Sequence, residues 1–145
     1  MVVVIVVLAL SGGVCLLWAR GRHLLVTVAG PSMEPAYAPG DQVLVRRVPI
    51  ARVRPGQVVL IRRDPVHGLP EDPDLVIKRA VAVPGDPVPR VGFPLLAGTA
   101  VPPAKLVVVG DNLPLSYDSR HHGYVPAGRF VGVVVRRLPR RPRPA

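Results

Sequence analysis

Leu75-Val76-Ile77-Lys78-Arg79-Ala80-Val81-Ala82-Val83-Pro84-Gly85-Asp86 reads as a strand and its stop. Apolar, largely β-branched residues fill a pleated ladder well, and Pro-Gly-Asp is a tight-turn signature. The same punctuation recurs at Pro39-Gly40-Asp41 and Pro55-Gly56-Gln57. Working outward, apolar runs of strand length occupy residues 24–28, 42–48, 57–62, 75–83, 106–109 and 130–136. After residue 20 no window keeps a helical period. Six short strands with frequent turns predict a compact, mostly β domain over residues 24–137. The proline-rich connections 63–74 and 87–105 read as surface excursions.

The chain has 145 residues, enough for one small domain. With 49% hydrophobic residues it is not a disordered tail, despite a net charge of +10. Aromatics are only 4%, while 19 prolines and 14 glycines favour turns over long helices. A single cysteine, Cys15, excludes an internal disulfide; it reads as an apolar residue of the first segment.

Residues 2–19 carry no charge. As a helix they would span about 27 Å, one bilayer core. They lack a basic n-region and a small-x-small exit, so the reading is a retained single-pass membrane anchor and a lipid partner. Arg20 and Arg22 follow the segment, which by the positive-inside rule would place the downstream domain in the cytoplasm. The Arg/Pro-rich residues 138–145 read as a disordered, solvated tail near anionic headgroups. Aromatic platforms, zinc spacing and a recognition helix are all missing, so nucleic acid is not an expected partner.

Nineteen basic residues include only two lysines, Lys78 and Lys105, which leaves seventeen arginines. Lysine differs from arginine in being able to lose its proton when buried. Lys78 sits inside the apolar run quoted above, where desolvation disfavours the ammonium. Serines are also scarce: Ser11, Ser32, Ser116 and Ser119. Ser32 lies in the turn-like Gly30-Pro31-Ser32-Met33-Glu34-Pro35. A serine on a turn and a lysine in an apolar strand have the makings of a Ser–Lys hydrolase. The bland alternative is a strand lysine pointing into solvent. Histidine is the usual base, and the four here are His23, His67, His121 and His122; a triad using one of the last two stays open on local pattern. No ligand spacing supports a metal site. Near these two histidines lies Ser116-Tyr117-Asp118-Ser119-Arg120, in which Asp118 can pair with Arg120 and Ser116 can meet a buried amine. That segment reads either as a capped surface loop or as a support that orients the base.

Three ordered segments resemble the conserved boxes of type I signal peptidases, the Ser–Lys membrane proteases that remove signal peptides. Gly30-Pro31-Ser32-Met33-Glu34-Pro35 resembles the nucleophile box, and residues 76–86 resemble the lysine box. Gly110-Asp111-Asn112, Ser116-Tyr117-Asp118-Ser119-Arg120 and Gly123-Tyr124-Val125-Pro126 together resemble the last box. The likeness runs from about Val26 to Val135. It implies Ser32 as nucleophile and Lys78 as general base. Ser116 would hydrogen-bond the lysine, and Asp118 with Arg120 would brace it. Met33 would line the substrate cleft, and the Ser32 N–H would help form the oxyanion hole. At the position of Gly30 many bacterial members carry an oxyanion-hole serine; Gly30 cannot supply that hydroxyl, and in this the chain resembles mitochondrial-type members. Leu113-Pro114-Leu115 replaces residues that are commonly polar. The connections are short, leaving little room for a second β subdomain.

The expectation is therefore a membrane-bound serine endopeptidase of signal-peptidase type, its catalytic domain on the extracytoplasmic face. Its partners are precursor proteins with small-x-small cleavage sites, and it needs no metal or cofactor. Rival readings are a maturation protease for one dedicated precursor, a self-cleaving repressor-like Ser–Lys protein, and an inactive membrane-anchored scaffold.

Overall fold

The computed structural model describes residues 21–63 and 74–138. The expected anchor 2–19, Cys15, His67 and the tail beyond Leu138 lie outside the described residues. Among the described residues no helix is long and apolar enough to cross a membrane.

Among the described residues seven strands follow one another: β1 (His23–Thr27), β2 (Gln42–Arg46), β3 (Val58–Arg62), β4 (Leu75–Ala82), β5 (Lys105–Val109), β6 (Val125–Pro126) and β7 (Phe130–Leu138). All neighbours pair antiparallel, in the order β1-β2-β7-β3-β4-β5-β6. The chain is mostly β, as its alternating apolar runs require. The six sequence-predicted strands all form. The two-residue β6 and the single helical turn α1 (Ser119–His122) are too short to leave a period in the sequence. Strand β7 extends through Leu138, one residue into the stretch expected to be tail.

Strand β3 explains how the layers assemble. Val58, Val59, Leu60 and Ile61 are all buried, because both faces of this central strand are covered. Val59 and Ile61 face a core with Val53, Ala80, Leu106, Val108, Val125 and Val133. Val58 and Leu60 face a second core with Val28, Met33, Val43, Val45 and Ile77. Register shifts interrupt the ladders at Leu44/Val45, Leu60/Ile61 and Ala80/Ala82. Such bulges bend the strands and sharpen their twist. The sheet curls enough that β1 and β4, separated by three strands, line the same cleft.

The connection between β4 and β5 is more than a surface excursion. Val88, Leu96 and Val101 bury themselves against Ala82 of β4 and Val107 of β5, and Pro87 bridges to Ala100. Proline density concealed this small third core, since its apolar residues follow no regular period.

Candidate active site

Ser32 stands on a 3-10 turn, Pro31–Met33, directly after β1. Proline presets the turn's first position, and Gly30 enters it extended, at φ −114° and ψ 165°. The Ser32 N–H falls in the first turn, where the helix itself supplies no acceptor. Asn112 clamps this turn from the far side of the sheet. Its backbone N–H donates to the Ser32 carbonyl at 3.0 Å, and its side-chain amide donates to the Pro31 carbonyl at 3.2 Å.

Lys78 comes from the middle of β4, opposite Val59 of β3. Strand alternation puts its side chain on the face of Val59 and Ala80, and it is only 4% exposed. Burial lowers its pKa to about 8; the nearby Asp118 carboxylate opposes that shift and the Arg120 guanidinium assists it. Lys78 Nζ donates to Ser116 Oγ at 2.9 Å. Ser116 Oγ in turn donates to Asp118 Oδ2 at 2.7 Å. Ser116 is 5% exposed and held between two partners, so it orients the amine and is not placed to attack a substrate.

Asp118 is fully buried and saturated with donors. It accepts from the Gly110 N–H at 3.0 Å, from Arg120 Nε at 2.8 Å and from the Arg120 backbone N–H at 3.2 Å. Burial pushes its carboxyl up, but the hydrogen bonds from Arg120, Ser116 and Gly110 outweigh that and hold it at about 2. The same residue caps α1, with His121 Nδ1 accepting from the Asp118 N–H at 3.3 Å. Ser119 is buried beside it, and its hydroxyl accepts from the Val108 N–H at 2.9 Å. The segment that looked on one reading like a surface loop is thus folded into the interior by hydrogen bonds rather than by apolar contact.

Both Ser32 and Lys78 line a cleft of about 320 Å³, with Val26 to Gly30 along one side and Leu75 to Ile77 along the other. Among the described residues the amine's hydrogen bond goes to Ser116, with none to Ser32. Catalytic hydrogen bonds are often long in an unliganded site and tighten around substrate. Of the expected site residues, Ser32, Lys78 and Gly30 reach the cleft, and Ser116, Asp118 and Arg120 form a chain behind the amine. Met33 does not line it. Its side chain is fully buried in the core with Val28, Val43 and Leu60, because the 3-10 turn that presents Ser32 outward points its next residue inward. His122 lines the cleft, whereas His121 stacks on Tyr117 with ring centroids 4.9 Å apart.

Two residues without an assigned role in the sequence reading matter here. Asn112 ties the Ser32 turn, and Gly110 is the point where three segments meet. A methyl group on Gly110 would overlap Ser116 Oγ, Ser116 Cβ and the Ser32 carbonyl oxygen. The Gly-Asp-Asn sequence was visible, but its meaning is a long-range contact that no local pattern encodes. Its aspartate, Asp111, makes a bidentate pair with Arg79 at 2.7 and 2.5 Å, joining the residue after Lys78 to the end of β5.

The model of the signal peptidase family, peptidase S26, matches residues 1–92 and 89–138 of the chain. No curated protein matches it with significance.

Proposed function

The chain belongs to the signal peptidase family, peptidase S26, and on that premise we propose that it is a membrane-anchored Ser–Lys endopeptidase removing leader peptides from exported precursors. Family membership implies a serine peptidase that processes precursor proteins. The observation that carries the finer reading is Lys78. It is a buried amine with a pKa of about 8, in the same cleft as Ser32, braced from behind by Ser116, Asp118 and Arg120.

With a pKa of about 8, roughly one amine in ten is neutral at pH 7, against about three in ten thousand for an ordinary lysine. Neutral Lys78 takes the Ser32 hydroxyl proton as the oxygen attacks the scissile carbonyl. The Ser32 N–H faces the oxygen that becomes negative. The Lys78 ammonium then protonates the departing amine, and a water attacks the resulting ester with Lys78 again as base. An extended substrate lies between β1 and β4 as an added strand, and shallow pockets select small residues before the cut. Residues 2–19 hold the domain at the bilayer, on the extracytoplasmic face.

The test is turnover of a generic signal-peptide substrate by the full chain in detergent. Ser32→Ala and Lys78→Arg should each abolish cleavage, since arginine keeps the charge but cannot serve as base. His122→Ala should leave the pH profile in place. Cleavage surviving in Lys78→Arg but lost in His122→Ala would transfer the role of base to the histidine.

A further inference from the structure

At the end of β1 and β2 away from Ser32 lies a groove of about 1020 Å³, rimmed by Arg22, Arg46, Arg47, Arg52 and Arg54. Its floor is apolar, with Val53 and Val133 each 4% exposed. No aspartate or glutamate is among its described lining residues. Among the described residues Asp41 holds Arg137, Asp111 holds Arg79, and Asp118 holds Arg120, all outside the groove. Among the described residues no carboxylate pairs with Arg46, Arg47, Arg52 or Arg54. Gln57, which also lines the groove, accepts from the Arg54 N–H at 2.9 Å. A concave, one-sign site over a low-dielectric floor focuses its field and concentrates anions. Arginine forks also match phosphate oxygens.

We propose that this groove binds the phosphate of anionic phospholipid headgroups, at the membrane that residues 2–19 enter. Arg22 stands three residues beyond that uncharged segment, so on the anchor reading the groove lies where the chain would leave the bilayer. The apolar floor suits the glycerol and upper acyl region of a lipid. Among the described residues no aromatic side chain lines the groove, and they offer no platform on which nucleic-acid bases would stack. Bound headgroups neutralise the clustered guanidinium charges and fix the domain's rotation about its anchor. The proposal rests on the anchor reading of residues 2–19, and not on the Ser–Lys chemistry.

The full chain in nonionic detergent, titrated calorimetrically, tests this without any turnover readout. The probes are short-chain phosphatidylglycerol, short-chain phosphatidylcholine, inorganic phosphate and a short single-stranded oligonucleotide. Phosphatidylglycerol should saturate with at least tenfold higher affinity than phosphatidylcholine or phosphate. Replacing Arg46, Arg47, Arg52 and Arg54 by Gln should weaken it at least tenfold, while Arg62→Gln with Arg136→Gln should not. Where the fourfold variant melts early, Arg52→Gln with Arg54→Gln, at an exposed turn, carries the same expectation at about threefold. Unchanged affinity in these variants, equal binding of free phosphate, or tighter binding of the oligonucleotide would each overturn the proposal. Loss of peptidase activity in Ser32→Ala leaves this titration unaffected, so the two readings fail separately.

Discussion

A buried ammonium is a liability that the Lys78 position carries at every pH where it stays charged. Its folded pKa, about 8, lies below the ordinary lysine value of 10.5. Between those values the unfolded chain binds more protons, so stability rises with pH across this window and the full cost is present below pH 8. That cost is on the order of 3 kcal/mol, comparable to the gain from burying one large aliphatic side chain. Lys78→Met should therefore raise stability at pH 7 by roughly 1–3 kcal/mol in urea unfolding, with turnover lost and the advantage shrinking towards pH 10.5. An equally large gain at both pH values would mean that the charge is not its source. Asp118 has the opposite sign. Its carboxyl is held at about 2 against an ordinary value of 3.8, so its contribution is present above pH 4 and lost on acidification through 2. The two groups are also coupled, because the Asp118 charge raises the Lys78 pKa. The log of kcat/KM should climb with unit slope below a midpoint near pH 8, and Asp118→Asn should move that midpoint to lower pH even as it slows the reaction. A midpoint that stays put would show that Asp118 supports the fold without tuning the amine.

The strands were legible in the sequence because each obeys a local rule: β-branched residues in short runs, closed by Pro-Gly turns. Lys78 was legible for a related reason, as the one ionisable side chain interrupting such a run that can give up its proton. The element joining β5 to β6 was not legible to the same degree. Ser116, Asp118 and Ser119 are polar residues that fold inward only because each finds partners: Lys78 and Asp118 for Ser116, Val108 for Ser119, and Gly110 and Arg120 for Asp118. Polar burial of that kind is set by contacts distant in sequence, which a windowed reading does not capture. The inward turn of Met33 was missed for the same reason. Gly110 is the hinge of this element. Its side-chain space is already filled by Ser116 and by the carbonyl of Ser32, and its N–H is bound to Asp118. Gly110→Ala must push the Ser32 turn or the Ser116 hydroxyl away, and backbone that close cannot yield cheaply. Turnover should fall by at least a hundredfold, since misplacement by about 1 Å costs that much. Thermal unfolding should drop as well, by several degrees. A variant that folds normally and cleaves at the parental rate would remove Gly110 from the positioning of the site.

At the scale of the whole molecule, strand content followed from composition but strand order did not. Strand β7 inserts between β2 and β3, a pairing across more than sixty residues of chain that local propensity does not specify. That insertion closes the curl and brings β1 to face β4, leaving the cleft between two strands that come early and midway in the sequence. The amino-terminal end of β1 carries the arginine groove, and the other end delivers Ser32. The proposed extracytoplasmic placement of the domain makes a prediction at this scale. Arg20 and Arg22 after the apolar segment favour retention of the domain inside. On the proposed function substrate supply favours the outside, where a leader would be cut as its precursor emerges. Positive charge biases topology without dictating it, and a folded domain's worth of chain is translocated largely regardless of charge. External protease added to intact protoplasts should therefore digest the catalytic domain, and Arg20→Gln with Arg22→Gln should increase the digested fraction. Protection in the parental chain, relieved by those two substitutions, would mean that the flanking arginines prevail and that Ser32 meets its substrates before they cross.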